Sequence, residues 1–221
     1  METIFAIVLS GVLFAAVVSV VVMGIRQRRR RLRLSQQAHG SGMRFAAEDP
    51  FDVPLRYRHF ALIDAGHSPR AHNVTYGRLH GLPVRAFDFR YEVGHGTRRL
   101  TRHYAVVVVE TGRSLPPVLL WNREDLEAAP LAVRHCRRCL GPWVCGDVTE
   151  PARKLAAAAA SYGEAGGSVQ TRNQALLLCG PEGRRQRRYT AGLEAVSDVV
   201  RVLIERGQTQ AVGNVENRSK A

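Results

Sequence analysis

Residues 83–93, Pro83-Val-Arg-Ala-Phe-Asp-Phe-Arg-Tyr-Glu-Val93, decide the fold. Phe87, Phe89, Tyr91 and Val93 share one parity, while Asp88, Arg90 and Glu92 share the other. Side chains along a strand alternate between its two faces, so the pattern predicts a strand with one face in a core and one in water. Upstream, across Gly81-Leu82, Asn73–His80 reads as its neighbour. Downstream, Gly94-His95-Gly96-Thr97 turns the chain into Leu100–Glu110. There the run Ala105–Val109 is apolar at both parities, which predicts a central strand covered on both faces. Phe87, Phe89, Tyr91, Val106 and Val108 are then expected to share one buried face.

Beyond this meander the signals shorten. Val118–Trp121 and Leu131–Cys136 read as short strands around proline-containing loops. Asp52 before Val53-Pro54 predicts a capped helix running to Ala65, with Gly66 as its stop. Thr149-Glu150-Pro151 opens an alanine-rich helix that ends near Gly163. Ser168–Arg172 and Ala175–Gly180 form a hairpin across Asn173-Gln174. Thr190 caps a last helix, with Leu193, Val196, Val200, Leu203 and Ile204 on one face. The predicted class is α+β: one antiparallel sheet over residues 49–207, with helices packed on one side.

A different pattern occupies the N-terminus. Thr3–Ile25 is a run without a charged residue, and Arg26, Arg28, Arg29, Arg30, Arg31 and Arg33 follow it directly. As a helix this run is about 34 Å long, enough for ~30 Å of hydrocarbon. A cleavable signal peptide wants a basic start, a shorter apolar core and a small-x-small site; here the start is Met-Glu-Thr, the core is too long and the basic residues follow it, so residues 1–25 read as a retained anchor. Basic residues beside a span stay on the cytoplasmic side. The expectation is therefore a single-pass protein of the plasma (inner) membrane, its N-terminus outside and its domain cytoplasmic. The six arginines are assigned to the anionic lipid surface. Gly11, Ala15 and Ser19 recur every fourth residue, a weak signal for a homodimer of spans. Residues 26–48 are read as a basic juxtamembrane segment and polar linker, most flexible at Gln36-Gln37 and Gly40-Ser-Gly42, and residues 208–221 as a disordered tail.

The whole chain, 221 residues with a formal charge of +13, is too long and too apolar for a disordered chain or a disulfide-stapled mini-protein. Much of that charge belongs to the juxtamembrane run, so it speaks of topology before nucleic acid, and no aromatic-interleaved RNA-binding signature is present.

From Arg44 to Gly96 the order of signals resembles a domain of unknown function in uncharacterised bacterial single-pass membrane-anchored proteins. The matching positions are Gly66 with Arg70, Asn73, Val74, Gly77, Phe87, Asp88, Phe89 and Tyr91. The resemblance covers about a quarter of the chain, with Gly66 to Arg70 one residue longer than the pattern. It implies a bacterial membrane-anchored protein and carries over no active site.

Chemistry-bearing groups are few. Cys136-Arg-Arg-Cys139, with Cys145 and His135 nearby, offers a thiolate knuckle to zinc, but a second knuckle is missing and only Cys179 remains as a distant fourth ligand. His135 adjoins Cys136 and, in a strand, points to the opposite face. Reduced, inert thiols without metal are the expectation, with redox chemistry from Arg-flanked thiols the weaker alternative. His59, His67, His72, His80, His95 and His103 fit no metal spacing. Asp64, His67 and Ser68 lie close but lack a nucleophile elbow. Arg184-Arg-Gln-Arg-Arg188 is a second basic run, read as a solvated connection or a polyanion contact. No catalytic residue and no cofactor are assigned. The expected function is a membrane-tethered binding or scaffolding domain with an unknown protein partner. The competing class is a membrane-anchored enzyme or zinc protein using Cys136, Cys139 and Cys145.

Overall fold

The structure, a computed structural model, describes residues 2–136, 138–145 and 148–181, with Gly192, Ala195 and Val199 of the last helix. It begins with one unbroken helix, α1 (Glu2–Gly40). Four strands follow as a meander: β1 (Arg44–Glu48), β2 (His67–Leu79), β3 (Leu82–Val93) and β4 (Leu100–Glu110), with the short helix α2 (Val53–Arg56) between β1 and β2. Next come β5 (Val118–Asn122), α3 (Leu131–Arg134), and the small hairpin β6 (Arg138–Leu140) and β7 (Trp143–Cys145). Helices α4 (Glu150–Ala158) and α5 (Ala160–Glu164) lead to a second hairpin, β8 (Ser168–Arg172) and β9 (Ala175–Pro181). The nine strands form one antiparallel sheet in the order β1-β2-β3-β4-β9-β8-β5-β7-β6. The α+β class read from the sequence is the observed one.

Alternation in β3 and β4 builds two cores. Phe87, Phe89, Tyr91, Val106 and Val108 pack on one face with Tyr57, Phe60, Leu62 and Ile63 from the segment after β1. Val84, Ala86, Val107 and Val109 pack on the other with Ala152, Leu155, Ala159 and Tyr162 of α4 and α5. Both parities of β4 are therefore buried, as its apolar run requires. Asp88 departs from the pattern: its side chain is on the second face, where solvent was expected, yet Asp88 is only 3% exposed. α1 covers it.

The stretch read as a flexible linker is ordered instead. Helix α1 continues through Gln36-Gln37 to Gly40, where the backbone N–H of Met43 reaches the Ala38 carbonyl (2.8 Å) and that of Gly42 the His39 carbonyl (3.0 Å). This crossed pair of bonds is the stop that a left-handed residue allows, and Gly42 has φ +67°. Ala38 and Met43, the apolar pair that accompanies such a stop, are both buried. The chain enters β1 at once, so the sheet begins at Arg44, inside the segment read as linker.

Two smaller expectations also change. Asp52 is not the cap of α2; it is left-handed, and Asp49 accepts from Phe51 N–H (3.0 Å) and Val53 N–H (2.7 Å) instead. Leu131–Cys136 is not a strand. Pro130 starts the single turn α3 there, and Arg134 Nε donates to the Ala129 carbonyl (2.7 Å). The helix at Thr149 starts as read, with its hydroxyl accepting from Ala152 N–H. In the last helix Gly192, Ala195 and Val199 are helical and buried. The residues named for its inner face, Leu193, Val196, Val200, Leu203 and Ile204, lie outside the described residues, as do Arg184–Arg188 and the tail 208–221.

Candidate functional site

Residues Leu9–Ile25 of α1 are exposed along their whole length, with Leu13, Phe14, Val17, Val20 and Met23 among the large apolar side chains bare to solvent. The helix is long and apolar enough to cross a membrane, with a mean hydropathy of 2.2 over its most apolar window. An apolar helix bare on every side has no counterpart in a soluble core. The Gly11, Ala15 and Ser19 positions lie on it, and the Ser19 hydroxyl donates to the Ala15 carbonyl (2.8 Å).

Little more than one turn past the apolar run the helix locks onto the sheet. Arg30 Nη2 donates to both carboxylate oxygens of Asp88, at 2.9 and 2.7 Å. Asn73 Nδ2 donates to the same carboxylate at 2.7 Å, and His72 Nε2 is 3.9 Å away. Asn73 stands in a left-handed conformation (φ +53°) at an irregularity in the β2–β3 register, which turns its amide toward Asp88. Arg30 is thus withdrawn from the set assigned to lipid. Arg26, Arg28, Arg29, Arg31 and Arg33 stay exposed around it. Sequence reading missed the pair because Arg30 and Asp88 are 58 residues apart.

A second polar cluster lies where β3 starts and β4 ends. Glu110 Oε1 accepts from Tyr57 Oη (2.8 Å), Arg56 Nη2 (3.0 Å) and Arg85 Nη1 (2.8 Å), and Arg85 Nη1 also donates to Tyr57 Oη (2.7 Å). Burial pushes the Tyr57 phenol up to about 12, and its bond to the Glu110 carboxylate adds to this. At Glu110 burial acts upward, but the bonds from Tyr57 and Arg56 and the charge of Arg85 outweigh it, holding the carboxyl below its ordinary range. Beside them is an open groove of about 570 Å³, whose lining includes Arg56, Tyr57, His59, Glu110, Asn173 and Gln174. Burial, and then the charge of Arg172, keep His59 below its usual value. Its Nε2 is buried without a hydrogen-bond partner among the described residues.

The thiols are spread over the sheet. Cys179 is buried in the first core and Cys145 in the second, on opposite faces. Cys139 is exposed on β6, and the Cys136 thiol donates to the Cys145 carbonyl. Among the described residues no three His, Cys, Asp or Glu side chains stand together as a group able to hold a metal ion. The histidines are spread as well: His67 and His95 meet edge to face at 5.0 Å, while His72 and His59 lie at the two polar clusters.

Fold and site together define a class: an antiparallel α+β sheet domain carried directly on an N-terminal helix able to span a membrane. A solved structure of the same fold is the crystal structure of the mycobacterial trehalose monomycolate transport factor A, TtfA. It aligns over 78% of this chain and 93% of that one, with a TM-score of 0.54 and 15% identity. No protein-family model and no curated protein matches the sequence.

Proposed function

We propose that the chain is a membrane-tethered binding or scaffolding module at the cytoplasmic face of a bacterial membrane. One observation carries the reading: the apolar helix runs without a break into a basic segment that is itself docked on the sheet through Arg30 and Asp88. A domain on a flexible tether samples a volume, whereas this one is held against the bilayer in one orientation. Basic residues flanking a span stay on the cytoplasmic side, and the exposed arginines of the run supply them. The groove beside Glu110, at the end of the sheet away from the span, is where a partner is met. The fold shared with a transport factor supports a tethered module of this kind.

Reporter fusions at Ala221 test the topology. A fluorescent protein that matures only in the cytoplasm is expected to light up, and a phosphatase active only outside it to stay silent. The reverse result removes the proposal. Crosslinking from native membranes through a photoreactive group at Gln174 then identifies what the groove meets. The expected product is a discrete adduct, lost when Glu110→Arg fills the groove with the opposite charge.

A further inference from the structure

We propose that the β3–β4 hairpin tip, Gly94–Leu100, is a second membrane contact that docks on anionic lipid headgroups beside the span. The inference deepens the proposed function and rests on its premise that α1 is inserted in a bilayer. Direction comes from two contacts. Arg30 meets Asp88 in the middle of β3, whereas Met43, just past the end of α1, packs on Gly77, which pairs with Val84 near the start of β3. Between Arg30 and Met43 the chain therefore travels toward the beginning of β3. Followed the other way, toward the span, α1 points to the end of β3 and its turn into β4.

Rise per residue sets the heights. From Arg30 back to Ile25 a helix advances about 7.5 Å. From Asp88 forward to Val93 a strand advances about 16 Å, before the turn itself is counted. Even with a generous tilt between them, the tip reaches the level where the apolar part of α1 begins. A bilayer around the span therefore meets the hairpin.

The tip has the chemistry of such a contact. Gly94 to Leu100 are all exposed, and the segment carries His95, Arg98 and Arg99 with no acidic residue. The acid behind it, Glu92, is paired with Arg99 at 3.2 Å. Leu100 is 49% exposed at the strand end, an apolar side chain beside cations, which is the pairing that interfacial segments use. The turn is preformed. Gly94 has φ +81°, and a side chain there would stand 2.5 Å from the Arg98 carbonyl. Each arginine near an anionic leaflet contributes about 1 kcal/mol.

The full chain, reconstituted in vesicles of phosphatidylcholine with or without phosphatidylglycerol and carrying brominated acyl chains, tests this. Native Trp121 and Trp143 are buried and give a constant background. Thr97→Trp is expected to lose roughly half of its added emission when phosphatidylglycerol is present, and Arg98→Glu with Arg99→Glu to restore it about two-fold. Gln174→Trp, at the far end, is expected to stay bright. The unfolding midpoint of the charge-reversed chain, matched to its parent, separates lost docking from lost folding. Val20→Trp reports the span itself. If Val20→Trp is quenched but Thr97→Trp behaves like Gln174→Trp, or if charge reversal leaves the quenching intact, the hairpin contact is wrong and the anchored module stands. If Val20→Trp is not quenched, both fall together.

Discussion

Asp88 is a carboxylate shut into a β-sheet, held there by a guanidinium from a helix that the sheet alone would never need. Removing one partner of such a pair leaves the other charge stranded, which costs more than the pair contributes when intact. Arg30→Ala is therefore expected to lower stability by roughly 2–4 kcal/mol in detergent-solubilised full chain, read by denaturant unfolding of the tryptophan signal. Adding Asp88→Asn to it is expected to recover part of that loss, since the stranded charge is gone. On the other face Phe89 is fully buried between Phe87 and Tyr91, and Phe89→Ala is expected to cost on the order of 3–5 kcal/mol. Glu110 gives the pH dependence. Its folded carboxyl titrates below the ordinary 4.5, so its stabilisation is complete above that value and disappears as pH falls through the folded one. Glu110→Gln is expected to flatten the acid limb of a stability–pH curve below about 4.5 and to leave its neutral region level. An unchanged acid limb would assign that slope to other carboxylates.

At the level of elements, the end of α1 turns on Gly42. A side chain at φ +67° is strained, so Gly42→Ala is expected to cost about 1 kcal/mol although nothing lies within 4 Å of the new methyl. Calorimetry on the full chain measures it. The same glycine explains a misreading. Gly40-Ser-Gly42 among polar residues has the composition of a linker, and only the buried Ala38–Met43 pair marks it as a helix stop. Strands β3 and β4 were legible because Phe87–Val93 alternate and Ala105–Val109 stay apolar. α3 was not, since four residues make barely one helical turn and cannot show the period repeating. Neither polar cluster was legible. Their members come from segments as far apart as Arg30 and Asp88, or Tyr57 and Glu110, and the seam between β4 and β9 likewise joins residues about seventy apart, such as Val107 and Leu178. Pattern within a window reports which face a residue takes, never which distant segment it meets. The thiols show the converse: close in sequence, Cys136, Cys139 and Cys145 looked like a site, yet alternation along a hairpin sends Cys139 and Cys145 to different surroundings.

For the whole molecule, the docked helix makes a protease assay informative. Arg26, Arg28, Arg29, Arg31 and Arg33 are all exposed, yet a helix must open locally before trypsin can cut it. Asp88→Ala removes the docking contact, and cleavage within residues 26–33 is expected to accelerate by at least about ten-fold, the factor that corresponds to 1.4 kcal/mol. Equal rates in parent and variant would mean that the arm is loose already.

In the proposed module, with α1 inserted in a bilayer, the helix has no hinge between its apolar turns and Arg30, so helical phase fixes the azimuth of the sheet about the membrane normal. Each residue added between Ile25 and Arg30 swings the domain by about 100° and lifts it by about 1.5 Å, while seven added residues return it almost to its original heading, one storey higher. The segment between span and clamp therefore works as a compass setting, in which the number of residues carries more information than their identity.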